Sequence, residues 1–220
     1  MKRTNHKKSL LRIYDLLYQR FGPRGWWPAD TGLEIIVGAI LTQNTAWANV
    51  EKAIVNLKRA GVLNIKQLSR ISDKRLAGLI RPAGCYNIKA ERLKNFLTFL
   101  DSAYKNNLER MFRENTRILR KELLSIKGVG PETADSILLY AGKKPVFVVD
   151  AYTKRIFSRH RYISKDADYN QMQKLFSENL APNVRLFNEF HALIVELGKN
   201  ICKSQKPLCN KCPIRRMRHD

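Results

Sequence analysis

The chain has 220 residues, of which 44% are hydrophobic, and its 41 Lys and Arg against 19 Asp and Glu give a formal net charge of +22. Hydrophobic residues occur along the whole chain, which excludes a disordered basic tail because such tails lack the apolar side chains of a core. The longest apolar run, residues 35–41, is interrupted by Gly38. It is much shorter than the roughly 18 residues of a membrane-spanning helix, and the length of the chain suits one domain or two small ones.

Helical spacing of apolar residues recurs through the chain and predicts an all-α fold. The predicted helices span about residues 9–19, 31–41, 46–60, 65–69, 73–80, 89–104 and 117–125, and helical spacing continues from residue 151 to the end, with interruptions at Pro182 and Pro207. Asp30 or Thr31 is predicted to cap the second helix, and Gly61 to end the third. One apolar run, residues 145–149, has the length of a short strand.

The excess of positive charge predicts a polyanionic partner. Cationic side chains that neutralise phosphates release condensed counterions, which gives affinity for nucleic acid without sequence preference. The charges are spread along the chain, and this favours nucleic acid over an anionic membrane surface. A soluble basic protein without such a partner stays the alternative on composition. The basic N-terminus is not followed by an apolar stretch of signal-peptide length, so we expect a cytoplasmic protein.

A glycine-rich turn between two predicted helices is the most informative segment. Lys127-Gly128-Val129-Gly130-Pro131 ends one helix and begins another, with Pro131 in the first turn, where a missing N–H is harmless. Glycines allow left-handed backbone angles and a close approach to a ligand. Unpaired N–H groups at a helix start favour an anion, so the turn predicts a phosphate contact; an ordinary connection between helices is the alternative.

Asp150 follows the apolar run of residues 145–149. An acid in this position is typical of a helix N-cap. It can also face an active site, and the two roles are compatible.

These features, together with Leu41-Thr42-Gln43-Asn44-Thr45, resemble the helix–hairpin–helix DNA glycosylases of the endonuclease III superfamily, over about residues 26–212. The resemblance implies two helical subdomains with a DNA-binding cleft between them. One, residues 31–139, would carry the wedge loop (residues 41–45) and the helix–hairpin–helix motif. The other, residues 1–30 plus 140–220, would carry a cysteine-containing loop. The implied partner is double-stranded DNA with a damaged base, and we expect a monomer without membrane association.

The resemblance also implies a mechanism of base-excision repair. The damaged nucleotide is flipped out of the duplex, at a cost of a few kcal/mol. Gln43 would fill the vacated space, and Asp150 would be the catalytic acid that stabilises the oxocarbenium-like sugar. The hairpin residues that would bind the DNA backbone are Lys127, Gly128, Gly130 and Thr133.

The nucleophile differs from that of endonuclease III itself. Glycosylases with lyase activity carry a Schiff-base lysine two residues after the second hairpin glycine, and this chain has Glu132 there. A carboxylate cannot form an imine. The sequence therefore favours a water nucleophile and a monofunctional glycosylase, and lyase activity is doubtful.

The substrate is indicated by further motifs, which resemble those of the class III 3-methyladenine DNA glycosylases: Gly25-Trp26-Trp27-Pro28, Arg81-Pro82-Ala83-Gly84-Cys85-Tyr86-Asn87 and Glu132-Thr133-Ala134-Asp135. Trp26 and Trp27 would stack on the flipped, cationic alkylpurine, with a gain of about 1–2 kcal/mol. Glu132 would add attraction for the cation. The alternatives are a core pair of tryptophans and a solvated carboxylate favoured by the helix dipole.

Three cysteines near the C-terminus, Cys202, Cys209 and Cys212, match the first three ligands of the superfamily's [4Fe–4S] loop. The fourth position is Arg218, and such clusters normally have four thiolate ligands. Either another group, such as water or His219, completes a cluster, or the loop is held by packing. The basic residues of this loop predict a phosphate-binding surface in either case.

His191 lies on an otherwise apolar predicted helix and is expected to be a hydrogen-bonded structural histidine, and Leu193 stands where class III enzymes have a basic residue. Two rival functions stay open. One is an endonuclease III-like glycosylase and AP lyase acting on oxidised pyrimidines. The other is a non-catalytic DNA-binding protein on the same scaffold.

Overall fold

The structure, a computed structural model, describes residues 6–217, and within them it contains helices and no strands. This confirms the predicted all-α fold. The α-helices are α1 (His6–Phe21), α2 (Gly32–Leu41), α3 (Trp47–Arg59), α4 (Ile65–Arg70), α5 (Asp73–Leu79), α6 (Tyr86–Tyr104), α7 (Leu108–Arg113), α8 (Thr116–Ser125), α9 (Pro131–Ser136), α10 (Ala151–Arg159), α11 (Tyr169–Ser177) and α12 (Val184–Asn200). Short 3₁₀ turns lie at Arg81–Ala83 and Cys209–Lys211, and a π-helical turn, Ile137–Ala141, continues α9.

The ends of the helices follow local hydrogen bonding. Thr31, and not Asp30, caps α2 by accepting a hydrogen bond from the Glu34 N–H at 3.1 Å. Asp30 pairs instead with Lys58 at 2.7 Å. Gly61, with φ of +67°, follows α3 as predicted. Helix α7 was not predicted.

Residues 145–149 form no strand, although their composition allows one. Phe147, Val148 and Val149 are almost fully buried. The Phe147 ring stacks on Phe176 with 3.9 Å between the centroids and lies edge-on to Phe187 and Phe190. Burial of these side chains therefore holds the segment in place without a strand partner.

The chain divides into two compact units. The central unit comprises residues 27–144, and the terminal unit comprises residues 1–26 and 145–220.

The central unit is built around α2, which packs against α3, α6, α9 and the π-helical turn. Every residue of α2 from Leu33 to Leu41 is buried, including Glu34. The Glu34 carboxylate is paired with Lys58 at 2.8 Å. Burial of a charge costs much less free energy when the charge is paired in this way.

The terminal unit has α12 at its centre, in contact with α10 and α1. Its core is a cluster of aromatic rings in mutual contact: Phe147, Phe157, Phe176, Phe187 and Phe190. None of the helices in residues 6–217 is both long and apolar enough to cross a bilayer.

Candidate active site and nucleic-acid interface

Asp150 is the N-cap of α10, and its two carboxylate oxygens have different surroundings. Oδ1 accepts hydrogen bonds from the Thr153 N–H at 2.7 Å and from the Thr153 hydroxyl at 2.8 Å. Oδ2 lies 3.6 Å from Nε2 of His191, and the side chain is 11% exposed. One oxygen is thus fixed by the helix, and the other faces an imidazole.

The Asp150 carboxyl is ionised at neutral pH. Burial alone raises its pKa, but the nearby His191 imidazole and the two hydrogen bonds from Thr153 outweigh burial, so the pKa lies below its ordinary value. A nearly buried carboxylate that stays charged can stabilise positive charge developing beside it.

The hairpin between α8 and α9 has one glycine that is sterically required. Gly128 has φ of +93°, and a Cβ there would collide with the side chain of Arg92. Gly130, the N-cap of α9, has φ of −90° and open space around it. Pro131 follows in the first turn, as predicted.

Three of the predicted DNA-binding residues meet in the central unit. The Gln43 side-chain amide donates hydrogen bonds to the Gly128 carbonyl at 3.0 Å and to the Thr133 hydroxyl at 2.9 Å. Its oxygen accepts a hydrogen bond from Arg92. The wedge loop is therefore joined to the hairpin through a side chain of its own.

Lys127 lies immediately before the hairpin and is highly exposed. Its ammonium is paired with Glu91 at 2.8 Å, and the hydrogen bond to this carboxylate raises the pKa of Lys127. A phosphate at the hairpin would compete with Glu91 for this cation.

The predicted base-pocket residues belong to different units: Trp26 to the terminal unit, and Trp27 and Glu132 to the central unit. The half-buried Trp27 ring is in contact with Trp47 and Tyr140, at centroid distances of 5.1 and 5.2 Å. Glu132 lies exposed in the first turn of α9. Trp27 is thus part of an aromatic cluster of three rings.

The cysteine-containing loop is tied to α10 by two arginines. Arg155 donates to the carbonyls of Cys202 and Gly198, each at 2.8 Å. Arg159 donates to the carbonyls of Lys203 and Ser204, at 2.7 and 2.8 Å.

The cysteines do not provide the full ligand set of a [4Fe–4S] cluster. Cys202, Cys209 and Cys212 form no disulfide, and burial together with the neighbouring Cys202 and Cys209 raises the pKa of Cys212. Among residues 6–217 no group of three or more Cys, His, Asp or Glu is arranged to hold a metal ion. Arg218 and His219, at and beside the fourth ligand position, lie outside the described residues. Three thiolates are one fewer than the four that normally hold such a cluster.

Two further residues at the wedge loop and hairpin, Lys89 and Arg92, show no signal in the sequence. Lys89 is 2% exposed, and its ammonium donates to the carbonyls of Leu41 and Ala83, at 2.8 and 2.7 Å, and to Thr45. Burial lowers its pKa. Both side chains contact segments distant in sequence, and this produces no local pattern.

Comparison with known proteins identifies the family. The family model of the HhH-GPD superfamily of base excision DNA repair proteins matches residues 37–182. The chain belongs to this superfamily and is a DNA glycosylase of the endonuclease III type.

Individual relatives agree with this assignment. A protein of Methanocaldococcus jannaschii, named "Putative DNA repair glycosylase", is 49% identical over 97% of both chains. The structure of the H. pylori 3-methyladenine DNA glycosylase bound to 1,N6-ethenoadenine is similar with a TM-score of 0.77 and 32% identity, covering 89% of this chain and 97% of that one. An endonuclease III–DNA complex, at 20% identity and a TM-score of 0.82 over 97% of this chain and 95% of that one, shares the fold.

Proposed function

We propose that the protein is a monofunctional glycosylase that hydrolyses the N-glycosidic bond of alkylated purines, such as 3-methyladenine, in double-stranded DNA. The observation that carries the hydrolytic mechanism is Glu132 at the place of the Schiff-base lysine, exposed in the first turn of α9. The substrate class is supported by the 32% identity to a 3-methyladenine DNA glycosylase.

The chemistry suits an ionised Asp150. Alkylation at N3 or N7 makes the purine cationic, so the C1′–N bond breaks with its electron pair going to the base, which leaves neutral. Positive charge develops on the sugar, and the Asp150 carboxylate stabilises it electrostatically. The oxygen of a water molecule then bonds to C1′, and the proton that it loses passes to the carboxylate. The reaction needs no amine.

In this proposal DNA contacts come from both units. Gln43 fills the space left by the flipped nucleotide, and the backbone is bound at Lys127, Gly128, Gly130 and Thr133. Trp26, Trp27 and Glu132 line the base pocket, where an indole face attracts a cationic ring. The proposed subdomain of the hairpin is residues 31–139, and that of Asp150 is residues 1–30 plus 140–220. The proposed active form is a monomer.

One set of assays tests the proposal. Duplexes containing 7-methylguanine, 1,N6-ethenoadenine, thymine glycol, uracil or an abasic site, and methylated DNA as a source of 3-methyladenine, are incubated with the protein, with and without borohydride. We expect release of alkylated purines and no trapped adduct. Release of oxidised pyrimidines alone would refute the substrate class, and a trapped adduct would establish a lyase.

Two variants sharpen these assays. Asp150→Asn keeps the shape of the side chain but removes its charge, and should lose nearly all base release while still binding DNA. An unimpaired Asp150→Asn protein would exclude the catalytic assignment. Glu132→Lys restores an amine at the position of the Schiff-base lysine and should create an adduct that borohydride traps.

A further inference from the structure

A buried histidine faces the oxygen of Asp150 that the helix cap leaves free. Oδ1 has two hydrogen bonds from Thr153, whereas Oδ2 lies 3.6 Å from Nε2 of His191. The two groups come from different helices, because Asp150 caps α10 and His191 lies within α12. Of the two oxygens, Oδ2 is therefore the one whose direction α10 does not determine.

The position of the imidazole is well defined. His191 is 7% exposed, and α12 packs against both α10 and α1. Its neighbour Phe190 is fully buried in the aromatic core of the terminal unit. A separation of 3.6 Å is longer than the 2.7–3.2 Å of a normal hydrogen bond. Hydrogen bonds of catalytic groups are commonly long in the absence of substrate and shorten when it binds.

We propose that His191 is a positioning residue for Asp150. The Nε2 atom of His191 holds Oδ2 so that this oxygen points toward the developing charge on the sugar. Thr153 holds the other oxygen, Oδ1. His191 acts on the substrate only through Asp150, and the inference rests on the proposed function. The groups that act on this carboxyl are His191 from α12 and Thr153 from α10.

Two substitutions at position 191 separate positioning from packing. His191→Leu fills the site with an apolar side chain and removes the donor, whereas His191→Gln places an amide N–H close to the position of Nε2. We expect His191→Leu to reduce the single-turnover rate of base release by about tenfold to a hundredfold, the loss typical of one hydrogen bond to a charged group. His191→Gln should recover most of the rate. Both variants should bind the lesion duplex as the wild type does.

His160 provides a matched control. It belongs to the same unit, follows α10, and its Nδ1 lies 2.8 Å from the Met217 carbonyl oxygen. His160→Gln should leave the rate of base release unchanged.

A second measurement does not depend on activity. Titration of ¹³C-labelled carboxyl groups by NMR should show the pKa of Asp150 higher in His191→Leu than in the wild type, and intermediate in His191→Gln, which supplies an N–H but no charge. A wild-type protein that releases no alkylpurine would refute the proposed function, and the titration would still decide whether His191 acts on Asp150. Equal rates and equal titration curves for wild type and His191→Leu would overturn the inference. So would equal losses in both variants accompanied by weaker DNA binding, which would indicate packing.

Discussion

At the scale of single residues, the buried Lys89 differs from the buried Glu34 and Asp135, which pair with charged side chains. The Lys89 ammonium is held by two carbonyls and a hydroxyl. Its acceptors belong to the wedge loop and its flanking helix, and to the turn at Arg81–Ala83. One side chain thus joins two segments that are distant in sequence.

Replacing this amine should destabilise the fold. Lys89→Met leaves two carbonyls and a hydroxyl without their donor, and we expect the free energy of unfolding to fall by about 2 kcal/mol or more. Urea denaturation measures the change. Lys94, a half-buried lysine that donates to the carbonyls of Leu68, Ser69 and Ile71, is the control. Because water can replace its ammonium more easily, Lys94→Met should cost about 1 kcal/mol or less. If both variants lost the same free energy of unfolding, burial of Lys89 would not account for the cost of removing its ammonium.

A buried tyrosine should make stability depend on alkaline pH. Burial, together with the hydrogen bond to Glu122, raises the pKa of Tyr104 well above its ordinary value of 10.0. The folded state then binds a proton that the unfolded state has lost, so this contribution to stability is complete below pH 10.0 and declines as pH rises through the folded-state pKa. In urea denaturation above pH 10.0, wild type should lose stability faster than Tyr104→Phe. Parallel curves would show that Tyr104 has no such role.

At the scale of elements, the hairpin between α8 and α9 is held from both sides. Arg120 forms a forked pair with the fully buried Asp135, at 2.6 and 3.0 Å, and this joins α8 to α9. Gln43 and Arg92 contact the hairpin from the wedge loop and from α6. The turn is therefore positioned by the wedge loop, by α6 and by the ion pair between its own two helices, as well as by its glycines.

The two hairpin glycines should differ in their tolerance of a side chain. Gly128→Ala combines a strained φ with a collision against Arg92, and should lower the free energy of unfolding by about 2 kcal/mol. At Gly130 the backbone angles are ordinary and the space around a Cβ is open. Gly130→Ala should therefore lower the free energy of unfolding by less than about 1 kcal/mol. Thermal and urea denaturation of both variants test the difference. Equal costs would show that both glycines are needed for a reason other than backbone conformation.

At the scale of the whole molecule, the net charge of +22 makes DNA binding dependent on salt. Not all the cations contribute equally, because several are already paired with carboxylates. Lys127 is paired with Glu91, Lys58 with Asp30 and Glu34, and Arg120 with Asp135. Of these, Lys127 is the most exposed and stands next to the hairpin.

Lys127 should contribute one counterion to the salt dependence of DNA binding. If Lys127→Ala removes one phosphate contact, the slope of log affinity against log salt concentration should become shallower by about 0.9. Glu91→Gln removes the competing carboxylate, and should strengthen binding at low salt. Fluorescence anisotropy on an undamaged duplex measures both effects. An unchanged slope in Lys127→Ala would place this cation outside the interface.

The helical fold and the family could be predicted from local sequence because their signals are local. Apolar spacing identified most of the helices, and the hairpin glycines, the Leu-Thr-Gln-Asn-Thr segment and Asp150 together indicated a helix–hairpin–helix glycosylase. Two details of secondary structure could not be read in this way. Helix α7 was missed, and residues 145–149 form no strand, since Phe147 is buried against a ring from α11.

The sequence by itself also determined the net charge, the absence of a lysine at position 132 and the incomplete set of cysteines, since these depend only on which residue occupies a position. Only the tertiary structure decided the surroundings of those residues. It placed His191 beside Asp150, Gln43 on the hairpin and Lys89 beneath the wedge loop. Each of these contacts joins residues about 40 or more positions apart, and packing between helices brings them together. No periodicity or motif along the chain predicts such a contact.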